Sequence, residues 1–143
     1  MKGSVIKIDV VKDCVYTVKI NNDKRSGVDG LNSIRRLLKL NRSHKTTPQM
    51  FHLNMSFDSF DIFKPVMFID DGIKDKFDDD TKLRSWNTLL PMMNITSVCQ
   101  EIQRADVYIF GNVIICLRDI RTGELVGLNN KQIKDILSVL TRM

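Results

Sequence analysis

The chain has 143 residues, 43% hydrophobic and 27% charged, with a net charge of +5 and a pI near 9.2. That length suits one domain with a real core, and the balance excludes wholesale disorder. No run reaches the apolar length of a membrane span, and MKGSVIKIDVV lacks the apolar stretch of a signal peptide, so the expectation is an intracellular chain with no transmembrane segment.

The charge is uneven. Residues 1–48 carry 11 Lys+Arg against 4 Asp, and residues 49–80 carry 3 Lys against 8 Asp. Such asymmetry implies a basic side and an acidic side, or two segments that neutralise each other. Cys14, Cys99 and Cys116 are odd in number, widely spaced and set in apolar runs, which fits a reducing compartment. The sequons at Asn41, Asn54 and Asn94 are then unused. Ala105 is the only alanine, while Ile, Asn, Lys and Asp abound. That bias suggests a low-GC genome and a virus-encoded chain.

Residues 4–11 and 14–20 alternate apolar and polar positions around a Lys12-Asp13 turn, which predicts a β-hairpin. Residues 28–42, VDGLNSIRRLLKLNR, predict an amphipathic helix: Val28, Leu31, Ile34 and Leu38 form a stripe widened by Leu37, with Asp29 at the N-cap. Arg35, Lys39 and Arg42 fall at i, i+4, i+7 on one face, with Arg36 beside them. In residues 50–57, Phe51, Leu53, Met55 and Phe57 alternate with His52, Asn54 and Ser56, a half-buried strand. Residues 65–69 predict another strand, with Pro65 at its start.

Residues 70–80, DDGIKDKFDDD, predict an exposed acidic loop. A helix should follow over residues 81–90, with Leu83, Trp86, Leu89 and Leu90 on one side, Asp80 or Thr81 as cap and Pro91 as stop. Ile95, Val98, Cys99 and Ile102 predict a further helix over residues 94–103, capped by Asn94. Gly111-Asn112 breaks the apolar run 106–117 into two antiparallel strands. Residues 113–118 and 124–128 form a second hairpin across DIRTG. The last helix spans residues 129–142, with Ile133, Ile136, Leu137 and Leu140 inward and Asn129 with Gln132 as a capping box. The expected architecture is a single α+β domain over residues 1–143: mostly antiparallel sheet (N-terminal hairpin, middle strand, C-terminal hairpins) packed with about four helices.

Lys24, Arg25, Arg35, Arg36, Lys39, Arg42 and Lys45 crowd into 22 positions, which points to nucleic-acid binding by phosphate neutralisation. No aromatic residue interleaves them, and no helix-turn-helix, RNP-type or zinc-finger signature is present. A solvated helix face is the competing explanation, and an anionic membrane surface a rival partner. The acidic loop fails as an EF-hand: counting back from Gly72, Ile69 and Met67 stand where ligands belong, and the closing Glu is Asp78. His44 and His52 lie far from any cysteine pair, so zinc is not expected. Nucleophilic catalysis has no base beside a nucleophile, and SGVDG is no phosphate loop. Trp86 is a core residue if its stripe is buried and a protein-interface anchor if it faces solvent. The expected function is that of a small basic non-enzymatic binding protein, without cofactor or metal, contacting RNA or nucleoprotein through the basic helix. The alternative is a matrix-type assembly protein that self-associates and touches membrane peripherally. A small hydrolase using Asp residues and a metal is the third reading.

Overall fold

Along the chain the elements are β1 (Lys2–Asp9), β2 (Cys14–Asn21), α1 (Gly27–Leu38), β3 (Gln49–His52), a 3₁₀ turn (Asp58–Phe60), β4 (Phe63–Ile69), β5 (Ile73–Lys74), β6 (Tyr108–Ile109), β7 (Val113–Asp119), β8 (Leu125–Val126) and α2 (Asn130–Leu140). The computed structural model describes residues 2–21, 27–40, 48–70, 73–74, 93–95, 97–99, 102, 108–109 and 111–141.

The main sheet is built on β7. Along one edge β4 pairs with its whole length, from Phe63 opposite Asp119 to Ile69 opposite Val113. The other edge is shared. β1 takes the first half, with Ile8 opposite Val113 and Ile6 opposite Ile115, and β8 takes the second, with Val126 opposite Leu117. Ser4 and Leu128 exchange backbone hydrogen bonds of 3.2 and 2.7 Å where those two neighbours meet. β2 and β3 flank this group, giving a six-stranded antiparallel sheet ordered β2-β1-β7-β4-β3 with β8 on β7.

Both faces of the sheet are covered. On one, α1 lays Ile34 and Leu38 over Val5, Val66, Phe68, Ile114 and Cys116. On the other, Ile136 and Leu140 of α2 join Ile95, Val98, Cys99 and Ile102 over Ile6, Ile8, Met67, Val113, Ile115 and Leu117. This explains the unbroken apolar run of β7. Antiparallel sheets often leave one face wet and then alternate; here residues 113–117 are all buried, so both parities are apolar. Fully burying each Ile or Leu contributes about 1.5–3 kcal/mol.

The structure corrects the expected about four helices. Among the described residues there are two α-helices, and the sheet dominates. The stripe Ile95, Val98, Cys99 and Ile102 is buried as its spacing implies, but by successive turns: Val98 N–H and Cys99 N–H donate to Ile95 O, and Ile102 N–H donates to Cys99 O. Asn94, the expected cap of that segment, also reaches the end of α2. Its backbone N–H donates to Leu140 O at 2.8 Å and its side chain to Val139 O at 3.3 Å, so it satisfies the end of α2.

Two strand expectations and one loop expectation also change. β3 ends at His52, because Leu53 N–H donates to Pro65 O at 3.1 Å and Pro65 has no N–H to return. Residues 53–57 keep the predicted burial rhythm without the ladder. Gly111-Asn112 joins no hairpin: β6 pairs with β5, outside the main sheet, and Gly111 takes a φ of 84° on the way into β7. Asp70, expected in an exposed loop, is 3% exposed. The helix expected over residues 81–90 lies outside the described residues.

Other expectations hold. β1 and β2 form the N-terminal hairpin, and β7 and β8 form the C-terminal one across residues 120–124. The capping box of α2 is present, with Gln132 N–H on Asn129 Oδ1 at 2.8 Å and Asn129 N–H on Gln132 Oε1 at 2.9 Å. Gln132 Nε2 also donates to Ser59 O at 2.8 Å, and Ser59 Oγ donates to Asp135 at 2.6 Å, which ties the 3₁₀ turn to the helix. Among the described residues, no helix is long and apolar enough to cross a membrane.

The packing sets a stability test by urea unfolding. Ile115→Ala, at the centre of β7, is expected to cost about 2–5 kcal/mol, whereas Val11→Ala, at a position 73% exposed, is expected to change the midpoint little. Asn129→Ala is expected to cost about 1 kcal/mol through the lost cap.

Candidate anion-binding surface

The sequence of α1 divides the helix into an inner and an outer side. Ile34 and Leu38 are buried, Leu31 and Leu37 half-buried, and Arg35 and Arg36 exposed. The helix begins at Gly27, so Asp29 lies within its first turn and is not the N-cap expected. It ends at Leu38. Lys39 stands one residue beyond, exposed, with its N–H still on Arg35 O at 3.2 Å. Part of this placement is helix electrostatics, since cations in a last turn complement the dipole by about 0.3–1 kcal/mol each. Arg36 Nη2 also donates to Ser33 Oγ at 3.3 Å. The ion pairs seen among the described residues, Lys7–Asp9, Arg121–Asp119 and Lys131–Asp135, involve none of the three cations.

The end of α1 is joined to the tip of the β1–β2 hairpin by one side chain. Asn112 is 2% exposed. Its Nδ2 donates to Leu38 O at 3.3 Å and its Oδ1 accepts from Val10 N–H at 3.0 Å. The hairpin turn is closed by Asp9, whose Oδ1 accepts from Val11 N–H at 2.9 Å and Lys12 N–H at 3.0 Å. Asp13 supplies the left-handed residue at φ 54°. Tyr16 OH donates to Asp9 Oδ2 at 2.7 Å, and Lys7 Nζ lies 3.6 Å from the same oxygen. Lys12, exposed, sets its Nζ 4.8 Å from the centre of the Tyr16 ring.

Strand alternation puts this tip on the side of α1. Val18 and Ile20 of β2 pack with Ile34 and Leu38, and Tyr16 shares their parity. Lys7, opposite Tyr16, shares the parity of Val5. The end of α1, with Arg35, Arg36 and Lys39, and the hairpin tip, with Lys12 and Tyr16, therefore lie on the same side of the sheet and are linked through Asn112.

Burial pushes the Asp9 carboxyl up, but the hydrogen bonds from Lys12, Tyr16 and Val11 and the Lys7 charge outweigh it and hold the group below its usual value. Burial, followed by the bond to Asp9, pushes the Tyr16 phenol up to about 12. Burial pushes the Cys116 thiol up to about 12 as well, which makes it a packing residue and not a nucleophile. Cys14 is exposed, contrary to its expected apolar position, while Cys99 is buried.

Of the cations expected to bind nucleic acid, Arg35, Arg36 and Lys39 come together on the surface. Lys24, Arg25, Arg42 and Lys45 lie outside the described residues, as does Trp86. Sequence reasoning missed Lys12, Tyr16 and Asn112. Lys12 and Asn112 read there only as turn residues, and Tyr16 as one position in an alternating strand. Elsewhere a shallow cavity of about 350 Å³ opens between Gly3, Phe63, Leu117, Val126, Leu128 and Gln132. Its lining is mainly apolar, and Gln132 is engaged with Asn129 and Ser59. Among the described residues, no group of three or more His, Cys, Asp or Glu is placed to hold a metal ion.

Comparison with protein-family models, with curated proteins and with solved structures finds no match in any of the three.

Two measurements check these local bonds. Asn112→Ala leaves the Val10 N–H and the Leu38 carbonyl without their partner and is expected to cost about 2–4 kcal/mol in urea unfolding, with an unchanged m-value. For Asp9, a depressed folded pKa gives stability that is present above the ordinary value of 3.8 and is lost as pH falls through the folded one. Asp9→Asn is thus expected to be less stable than wild type at pH 7, with the difference shrinking on acidification; a constant difference would refute the linkage.

Proposed function

We propose that this protein is a small non-enzymatic RNA-binding protein and that the outer side of α1 holds the phosphate backbone. The observation that carries the reading is the convergence of exposed Arg35, Arg36 and Lys39 on a helix end anchored in the core by Ile34 and Leu38. Three cations on a rigid support can release counterions from a polyanion without ordering a loop first. Arg is suited to the task, because its planar fork matches phosphate oxygens.

An anionic lipid surface would meet the same cations. The apolar side of α1 is already used by the sheet, so a membrane would be held by charge alone, without an inserted side chain. RNA is favoured over lipid because it places its phosphates along a line that a helix face can follow.

Binding to single-stranded RNA is expected to weaken linearly in log–log form with rising salt. Replacing Arg35, Arg36 and Lys39 by Gln is expected to flatten that slope by about 2, at about 0.7 for each phosphate no longer neutralised. Fluorescence anisotropy across a salt series makes the comparison, beside vesicles containing phosphatidylserine. Absence of binding at low salt, or a slope unchanged in the triple variant, would remove α1 from the function.

A further inference from the structure

We propose that the tip of the β1–β2 hairpin is a base-contacting platform, on which Tyr16 stacks an unpaired nucleobase while Lys12 passes from the ring to a neighbouring phosphate. This rests on the RNA reading of α1 and extends it from backbone attraction to a preference for single strands.

The position of Tyr16 is the first support. Its parity in β2 aims it to the side of the sheet that α1 covers, and Asn112 ties Leu38, at the end of α1, to Val10, two residues before Lys12. A strand bound along Arg35 and Lys39 therefore passes the hairpin tip.

The second support is the state of the ring. Tyr16 is half-buried, and its hydroxyl is fixed on Asp9 at 2.7 Å, so the aromatic plane is held before any ligand arrives. A pre-set ring loses little conformational freedom on stacking. Asp9 is itself fixed by Val11 and Lys12 backbone N–H groups. With its phenol pushed up to about 12, Tyr16 stays neutral at physiological pH and does not repel phosphate.

The third support is Lys12. Its ammonium lies 4.8 Å from the ring centre, and the residue is exposed, so the ring face it covers is reached from solvent. A base is flat like the ring and offers it a larger contact area than the ammonium does. On stacking it displaces the ammonium, and a flexible lysine stem then carries the charge to the adjacent phosphate. Stacking tolerates all four bases but not a closed duplex, whose base faces are covered.

The test uses the full chain, a labelled single-stranded RNA 12-mer and inorganic polyphosphate. Tyr16→Leu is expected to lower RNA affinity about 5- to 150-fold, the range for loss of one base–aromatic stack, and to leave polyphosphate affinity unchanged. An unchanged far-ultraviolet circular-dichroism spectrum and urea midpoint report that the variant is folded. Tyr16→Phe is expected to recover most of the lost RNA affinity, falling short of wild type, because it keeps the ring and drops the hydroxyl that pre-sets it. Replacing Arg35, Arg36 and Lys39 by Gln should weaken both ligands. If Tyr16→Leu keeps wild-type RNA affinity while the triple variant loses both ligands, the platform is overturned and the RNA reading of α1 stands. If Tyr16→Leu weakens both ligands equally, Tyr16 supports the charged surface and does not stack. If the wild-type chain binds neither polyanion, both proposals fall.

Discussion

The side chain of Asn112 locks together three parts of the chain that the sheet and the buried side of α1 already bring close. One amide donates to the last helical carbonyl of α1 and accepts from the hairpin tip, spanning separations of 74 and 102 residues. It does so at the mouth of β7, immediately after Gly111 turns the chain at positive φ. An amide is the side chain that can offer a donor and an acceptor in one plane. Its burial makes the bonds obligatory, because an unpaired peptide group there would cost about 1–3 kcal/mol.

From that point the sheet dictates the rest. β7 is buried on both faces and paired on both edges, so its five consecutive apolar residues leave no surface for function. Among the described residues, solvent meets the outer sides of α1 and α2, the hairpin tips and the edge strands β2 and β3. α2 uses its polar positions for its own fixing: Asn129, Gln132 and Asp135 hold the cap and the 3₁₀ turn. α1 keeps Arg35 and Arg36 outward, and its end is the one clamped to the hairpin. Charge and an aromatic ring thus gather where the architecture leaves room for them.

What could be read from the sequence follows the range of the interactions. The first hairpin, the β7–β8 hairpin and the capping box rest on neighbours within a few residues, and local pattern sufficed. Arg35, Arg36 and Lys39 were legible from helical spacing. The burial rhythm of residues 51–57 was legible too, but its end as a strand depends on a proline twelve residues past Leu53. The stripe from Ile95 to Ile102 gave burial and misled about geometry, because consecutive turns satisfy the same spacing as a helix. Asn94 has the composition of a local cap, yet serves a helix end more than forty residues away. Asn112 was hidden most completely, since Gly-Asn reads as a turn and both its partners are distant. Tyr16 became visible only once Lys12 and Asp9 had been placed around it.

The end of α1 and the hairpin tip are held to act as one surface. Amide chemical shifts recorded while a single-stranded RNA oligonucleotide is titrated into the isotope-labelled protein test this most directly. The expected result is that residues 10–16 and 35–40 shift together and saturate at one RNA concentration, with α2 unmoved. Shifts centred on Lys131 and Lys134 of α2, or changes in α1 with a silent hairpin, would contradict it.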